Sequence, residues 1–262
     1  MGDTVTGFRA SVAGFAAASL LLTGCQTTEP AGPATPATSA SAAPAPNGIE
    51  ALTAEQILDR AQQALADAPS FRFWGFQMHG EARPFAEFTA VGDDLTGMMR
   101  LSSEAGLEKA TMEILLADGV QYIKPSEDYW RIFAEDYDPE AAITAAGDKW
   151  IRTPPSSKTF GAIFTRDRLV ADFDVPAGTV AKGAPSEIDG VPVLTMGSAE
   201  IGGMSARVAT SGEPYPTRWD TWAGDTVELT GIGATYPPIE KPAPDQVTDL
   251  LTVMRSARTA KA

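Results

Sequence analysis

The chemistry open to this chain is limited by how few nucleophiles and proton carriers it has. It contains one histidine, His79, and one cysteine, Cys25. A single histidine removes Ser-His and Cys-His nucleophilic pairs, and with them any multi-histidine metal site. His79 itself falls at the end of an expected first strand and reads as a polar residue beside a turn. No Gly-x-Ser-x-Gly, Ser-x-x-Lys or phosphate-binding loop occurs in the sequence. Gly231-Ile232-Gly233 lacks the third glycine of a dinucleotide fingerprint and falls in an expected strand. Three carboxylate pairs remain: Asp93/Asp94, Glu135/Asp136 and Asp172/Asp174. A glycosidase needs two carboxyl groups converging across a cleft. Asp93/Asp94 instead sits in an expected turn, where Asp is favoured for backbone reasons, and the other pairs flank apolar segments as solvated ends. Asp136-Tyr137-Asp138 with Glu140 offers oxygen ligands but lacks the glycine turn and spacing of an EF-hand. These residues point to no catalytic group, no metal and no cofactor.

Cys25 carries the chemistry that is left. It ends the apolar run Val12 to Leu22 and follows Leu22-Thr23-Gly24. That run is too short and too rich in small residues to span a bilayer, and it has the size of a signal-peptide core. Leu-Thr-Gly before Cys is the lipobox pattern of bacterial lipoprotein export. It implies a diacylglyceryl thioether on Cys25 (with palmitate among the expected acyl groups), cleavage before it, and a mature chain starting there. Each buried methylene contributes roughly 0.8 kcal/mol, so two or more acyl chains hold a protein stably on a membrane. The segment before the run is a weak signal on charge, with Arg9 against Asp3. Met1-Gly2-Asp3-Thr4-Val5-Thr6 also fits the loose N-myristoylation pattern, but that pattern does not account for an apolar run ending in Gly-Cys.

Composition narrows the rest. A formal charge of −14 argues against nucleic acid and against broad docking on anionic lipid. With one cysteine there is no internal disulfide, so an exported body must rely on its own core. No apolar run after Cys25 approaches the ~20 residues of a spanning helix.

The expected organisation is a signal peptide over 1–24, then the acylated Cys25 and a disordered Pro/Ala/Thr/Ser-rich tether over 25–48. One domain over 49–255 and a disordered tail over 256–262 follow. A tether of around 23 residues spans on the order of 30 Å as a coil. Thr53 can cap a helix with Gln56 at the capping-box position, and Ile57, Leu58, Ala61 and Leu65 repeat at helical spacing until Pro69 stops it. Strands are expected over 71–78, 85–91, 95–101, 107–116 and 120–124, with Asp118-Gly119 as a hairpin signal. Asp138-Pro139 starts a short helix, 147–152 reads as a strand, and 159–173 as helical. Strands return over 191–196, 205–210, 217–222 and 227–236, and 243–254 closes the chain as an exposed helix. The fold class is α+β: a single large, curved antiparallel sheet (a half-barrel) wrapping a few helices.

One face of the first meander stands out. Phe73, Met99, Leu101, Met112, Ile114, Leu116 and Tyr122 fall on alternating positions that could share a surface, and methionines with aromatics make a deformable apolar lining. Either they form a filled core, or the curved sheet leaves a hollow for a lipid chain.

Several short motifs resemble the LppX/LprG-type bacterial lipoproteins, whose fold is like that of the LolA/LolB carriers. They are the lipobox with its spacer, and the opening helix ending at Pro69-Ser70-Phe71-Arg72-Phe73. Asp118 to Lys124, Gly147-Asp148-Lys149-Trp150-Ile151 and Ile188-Asp189-Gly190-Val191-Pro192 follow, then Tyr215-Pro216-Thr217-Arg218, and Ala234-Thr235-Tyr236 with Pro242. The resemblance covers 49–245 and implies a half-barrel with an apolar cavity that in some members holds acylated lipids. The function expected is a non-enzymatic lipoprotein on the outer face of the cytoplasmic membrane that binds or shuttles a lipid or apolar small molecule. The alternative is an interaction or sensor lipoprotein using its sheet as a platform for an unidentified protein partner.

Overall fold

In a computed structural model the described residues are 44–76, 85–100, 109–133, 137–154, 165–171, 173, 180–197, 204–220 and 226–261. Helix α1 (Ala54–Asp67) begins as its sequence dictates. The Thr53 hydroxyl accepts from the Gln56 N–H at 3.3 Å, and the Gln56 side chain accepts from the Thr53 N–H at 3.0 Å. Such a cap contributes about 1 kcal/mol. Ile57, Ala61 and Leu65 are buried on one face, and the helix stops before Pro69.

A five-strand antiparallel meander follows: β1 (Ser70–Phe76), β2 (Phe85–Val91), β3 (Asp94–Arg100), β4 (Thr111–Ala117) and β5 (Val120–Pro125). Asp118 and Gly119 turn between β4 and β5 with φ of 53° and 71°, the left-handed pair that matches the twist of a two-residue hairpin. Gly97 of β3 lies opposite Phe88, where a Cβ would overlap both the Glu87 carbonyl oxygen and the Phe88 ring. Helices α2 (Glu127–Phe133) and α3 (Pro139–Ala146) come next; Asp138 caps α3 by accepting from the Ala141 N–H at 2.8 Å. Strand β6 (Trp150–Arg152) and helix α4 (Arg166–Ala171) lead to a second meander. It comprises β7 (Ala181–Ile188), β8 (Val191–Gly197), β9 (Ser205–Ala209), β10 (Pro216–Asp220) and β11 (Thr226–Thr230). The chain ends with β12 (Val247–Asp249) and helix α5 (Leu250–Lys261).

Among the described residues all strands join one open 12-stranded sheet in the order β12-β6-β5-β4-β3-β2-β1-β11-β10-β9-β8-β7. The α+β architecture, with one large sheet wrapping helices, is as expected. The sheet is mixed rather than wholly antiparallel, because β12 returns alongside β6 in parallel. Helices α2, α3 and α5 serve the β4–β6 half, while α1 and α4 serve the β9–β10 half. One continuous core lies between sheet and helices, from Phe73, Phe88 and Ile114 to Trp130, Leu169 and Val253. At its centre the Trp219 ring stands edge-on to Phe73 at 6.0 Å and to Phe173 at 5.2 Å.

Four local expectations are corrected. Pro44 to Gly48, counted by composition into the tether, are pinned to the β9–β10 turn: Pro46 bridges Ser211, and the Asn47 N–H donates to the Thr210 carbonyl at 2.9 Å. Strand β11 stops at Thr230 rather than running to Tyr236, since Gly231 and Gly233 take φ of 57° and 74° and turn the chain. The closing helix runs to Lys261, not into a disordered tail, and it is not exposed all round: Leu250, Val253 and Ala257 are buried. Strand β7 has no counterpart among the expected strands; its residues AKGAPSEI lie exposed along the sheet edge, so no apolar alternation announces it.

Candidate functional site

The seven apolar candidates separate. Phe73, Met99, Met112 and Ile114 are no more than 6 % exposed and lie together in the core, packed by the helices. Leu116 is the candidate that borders an open space. Tyr122 is a correction: it points to the other face of the sheet, with Leu115 and Ala117. The two-residue turn fixes this, since it pairs Ala117 with Val120, Leu116 with Gln121 and Leu115 with Tyr122. The inner-face residue beside Leu116 is therefore Gln121. Leu101, Cys25 and His79 lie outside the described residues, as do Glu135/Asp136 and Asp172/Asp174.

The open space is a cleft of ≈ 940 Å³ at one end of the sheet. Its floor is Leu116, Val120 and Gln121 from the β4–β5 hairpin. One wall is Arg152, Thr153 and Pro154 leaving β6, another is Thr165, Arg166 and Asp167 at the start of α4, and the mouth carries Leu250, Leu251, Thr252 and Arg255 of α5. Thr153 holds the wall to the floor, its N–H and hydroxyl donating to the Gln121 carbonyl at 3.0 and 3.2 Å. Arg152 closes onto Asp249 across the parallel β6–β12 pair, with N···O of 2.8 Å.

Arg166 positions this end of the molecule. Its guanidinium donates to the carbonyls of Gly92 at 2.8 Å, Ala66 at 3.0 Å and Leu65 at 3.1 Å, and also to that of Ala68. It stacks 5.3 Å above the Phe71 ring. The last carbonyls of a helix have no partner within it and carry partial negative charge, so a buried cation there needs no carboxylate. Burial pushes the Arg166 guanidinium below its ordinary value, while Asp93, Asp167 and Asp67 draw it back up; an arginine stays charged throughout. One side chain thus ties α4, the end of α1 and the β2–β3 turn together beside the cleft.

The lining offers hydroxyls, guanidiniums, carboxylates and aliphatic surface, with no histidine, cysteine or lysine among the described residues. That set can bind and orient a partly apolar molecule. Asp93 borders the cleft, while Asp94 accepts from the Asp118 N–H at 2.9 Å and joins two turns. Asp138 of the acidic run is spent as a helix cap, and Glu140 pairs with Arg131 at 2.9 Å. Among the described residues no group of three His, Cys, Asp or Glu is arranged to hold a metal, and no helix is long and apolar enough to cross a membrane. Sequence reading misses the cleft because its residues come from five separated segments.

No family model and no curated protein matches the chain. Among solved structures it is similar to LprF from Mycobacterium bovis, at 16 % identity over 77 % of this chain and 100 % of that one, with a TM-score of 0.45. It is also similar to an uncharacterized conserved protein from Thermus thermophilus, at 12 % identity, 75 % and 98 % coverage and a TM-score of 0.34. MucB follows at 12 % identity, covering 72 % of this chain and 63 % of that one, with a TM-score of 0.34.

Proposed function

We propose that this chain is an exported lipoprotein, held at the outer face of the cytoplasmic membrane by acylated Cys25, whose body binds a lipid or other apolar-chain molecule in the cleft at the end of the sheet. The observation that carries this is the cleft itself. Its ≈ 940 Å³ is within the range of small-molecule sites, and it combines aliphatic surface at Leu116, Val120, Leu250 and Leu251 with polar walls that could fix a head group. The core proper is filled at Phe73, Trp219 and Phe173, so the ligand belongs at the sheet's end rather than over its centre.

The test is native mass spectrometry of the purified mature chain, with organic extraction of what it carries. Co-purifying lipid is expected, and Thr252→Trp, at an exposed helix position on the cleft mouth, should abolish it without unfolding the protein. A body that carries no lipid and takes up no fluorescent long-chain fatty acid after detergent stripping ends the reading. The platform reading would use Trp74 and Met98, exposed by 45 % and 38 %; it predicts a crosslinked protein partner that Trp74→Ser releases.

A further inference from the structure

Three features lie at the same end of the sheet. The first is the cleft, whose lining includes the β2–β3 turn (Asp93), the β4–β5 turn (Gly119) and the exit of β6. The second is the place where the ordered body begins. Pro46 bridges Ser211, and the Gly212 N–H donates to the Ala45 carbonyl at 2.9 Å, so the chain enters at the β9–β10 turn. Antiparallel pairing from β9 through β11 and β1 to β5 puts that turn and the β4–β5 turn at one end of the strands. The third is exposed apolar surface. Leu251, 66 % exposed, stands at the cleft mouth, and Val191, 37 % exposed, begins β8 beside the chain's point of attachment.

We propose that this end of the body docks on the bilayer that holds the Cys25 anchor, so that the cleft exchanges its ligand directly with that bilayer. The inference rests on the reading above, that Cys25 is acylated and the cleft takes a lipid. The length of chain outside the described body supplies the argument. Between Cys25 and Pro44 lie 18 residues, of the Pro/Ala/Thr/Ser-rich composition expected of a tether, and a flexible segment of that length spans on the order of 25 Å. A seven-residue strand is itself about 23 Å long. To bring the opposite end of the sheet to the membrane, a flexible tether would have to run back along the body and be held at or beyond its root-mean-square length. To bring the cleft end there, it needs almost none of that length. Leu251 and Val191 then meet the interface, where exposed aliphatic side chains are favourable. Asp93, Asp118, Asp167, Asp189 and Glu213 are exposed at the same end, so the surface suits a neutral bilayer and resists an anionic one.

The experiment moves the anchor. Because Cys25 is the chain's only cysteine, the mature chain couples through its thiol to a maleimide lipid in phosphatidylcholine vesicles. A second form carries Cys25→Ser with Lys109→Cys, an exposed position just before β4 and so at the end of that strand opposite the β4–β5 turn and the cleft, coupled to the maleimide lipid through a flexible spacer of matching length. The probe is a pyrene-labelled long-chain fatty acid preloaded in the vesicles. The Cys25-anchored form is expected to load roughly tenfold faster, as effective concentration at the mouth dictates. With phosphatidylglycerol added, its loading falls at low salt and recovers at high salt. Equal rates for the two anchors overturn the proposal. Uptake of the same probe as a monomer by the unanchored body is measured in parallel. Its absence sinks the lipid-binding reading itself, whereas uptake with equal anchored rates sinks only the docking of this end.

Discussion

On the outer face of the sheet, strands β4–β6 and strands β9–β11 meet their surroundings in opposite ways. Over β4–β6 the chain between β11 and β12 passes as a proline-rich strap. It is fixed at its start by the Gly233 N–H on the Ser70 carbonyl at 2.9 Å and by the Ser70 hydroxyl on the Ala234 carbonyl at 2.6 Å. Arg72 lies 5.2 Å over the Tyr236 ring, and beyond it Ile239 packs with Leu115, Tyr122, Trp150 and Val247 in a second, smaller apolar cluster. Over β9–β11 the outward residues form a charged lattice instead. Asp220 accepts from Arg207 at 2.6 Å, from the Ser205 and Thr226 hydroxyls at 2.9 Å, and from Arg218 at 3.3 Å. A sheet face can be apolar only where something covers it; where solvent meets it, cross-strand charge pairs take over.

Breaking the roofed side should cost most. Leu115→Ala, at a site 6 % exposed, is expected to lower unfolding free energy by about 3 kcal/mol in urea titration. Ile239→Ala, on the strap and only partly buried, should cost roughly 1–2 kcal/mol. Combined, these two should fall short of additivity, because each empties the same cluster, whereas Leu115→Ala with Asp220→Asn should add. Purely additive behaviour of the first pair would mean the strap does not seal the cluster.

The lattice side should respond to pH. Burial disfavours the ionised Asp220, but hydrogen bonds from Arg207, Thr226 and Ser205 outweigh that and hold its carboxyl at about 2, below the ordinary 3.8. A carboxylate depressed in the folded state stabilises above its unfolded value, and that contribution is lost as pH falls through the window between the two. Allowing for its 23 % exposure, about 1–2 kcal/mol should disappear over that window in the unmodified chain. The Asp220→Asn variant, compared at pH 6 and pH 2.5, should show a correspondingly smaller acid loss. Lys241→Ala marks the lower limit. Its contact with Asp118 at 3.1 Å is open to water on both sides, and the urea midpoint should not move.

Much of the scaffold is legible in the residues because local rules act alone. Thr53 with Gln56 writes the start of α1, and Asp118-Gly119 writes the β4–β5 hairpin. Alternation in 111–117 gives β4 its two faces. The true side of Tyr122 is legible too, since a two-residue turn after Ala117 already pairs Leu115 with it and turns Gln121 inward. Strand β7 is not readable in that way. An exposed edge strand with Gly183 and Pro185 has neither a buried face nor strand propensity to announce it. Helix α2 is only two turns long, and its Tyr129 and Trp130 are placed by tertiary packing rather than by periodicity. The cleft is invisible for a further reason. It is made of turn residues and element ends, and only the completed pairing of β6 with β12 brings Arg152 to Asp249 at its rim.

The place of β1 in the sheet bears on how the chain reaches its folded state. Ser70–Phe76 is the first strand to leave the ribosome, yet it takes the centre, between β2 and a β11 that lies some 150 residues later. Closing so long a loop is entropically slow, and until Thr226–Thr230 arrives β1 keeps one open hydrogen-bonding edge. A polypeptide of this topology stays short of its finished sheet for most of its synthesis. The cost is an interval in which that bare edge must be kept from pairing with a neighbour's.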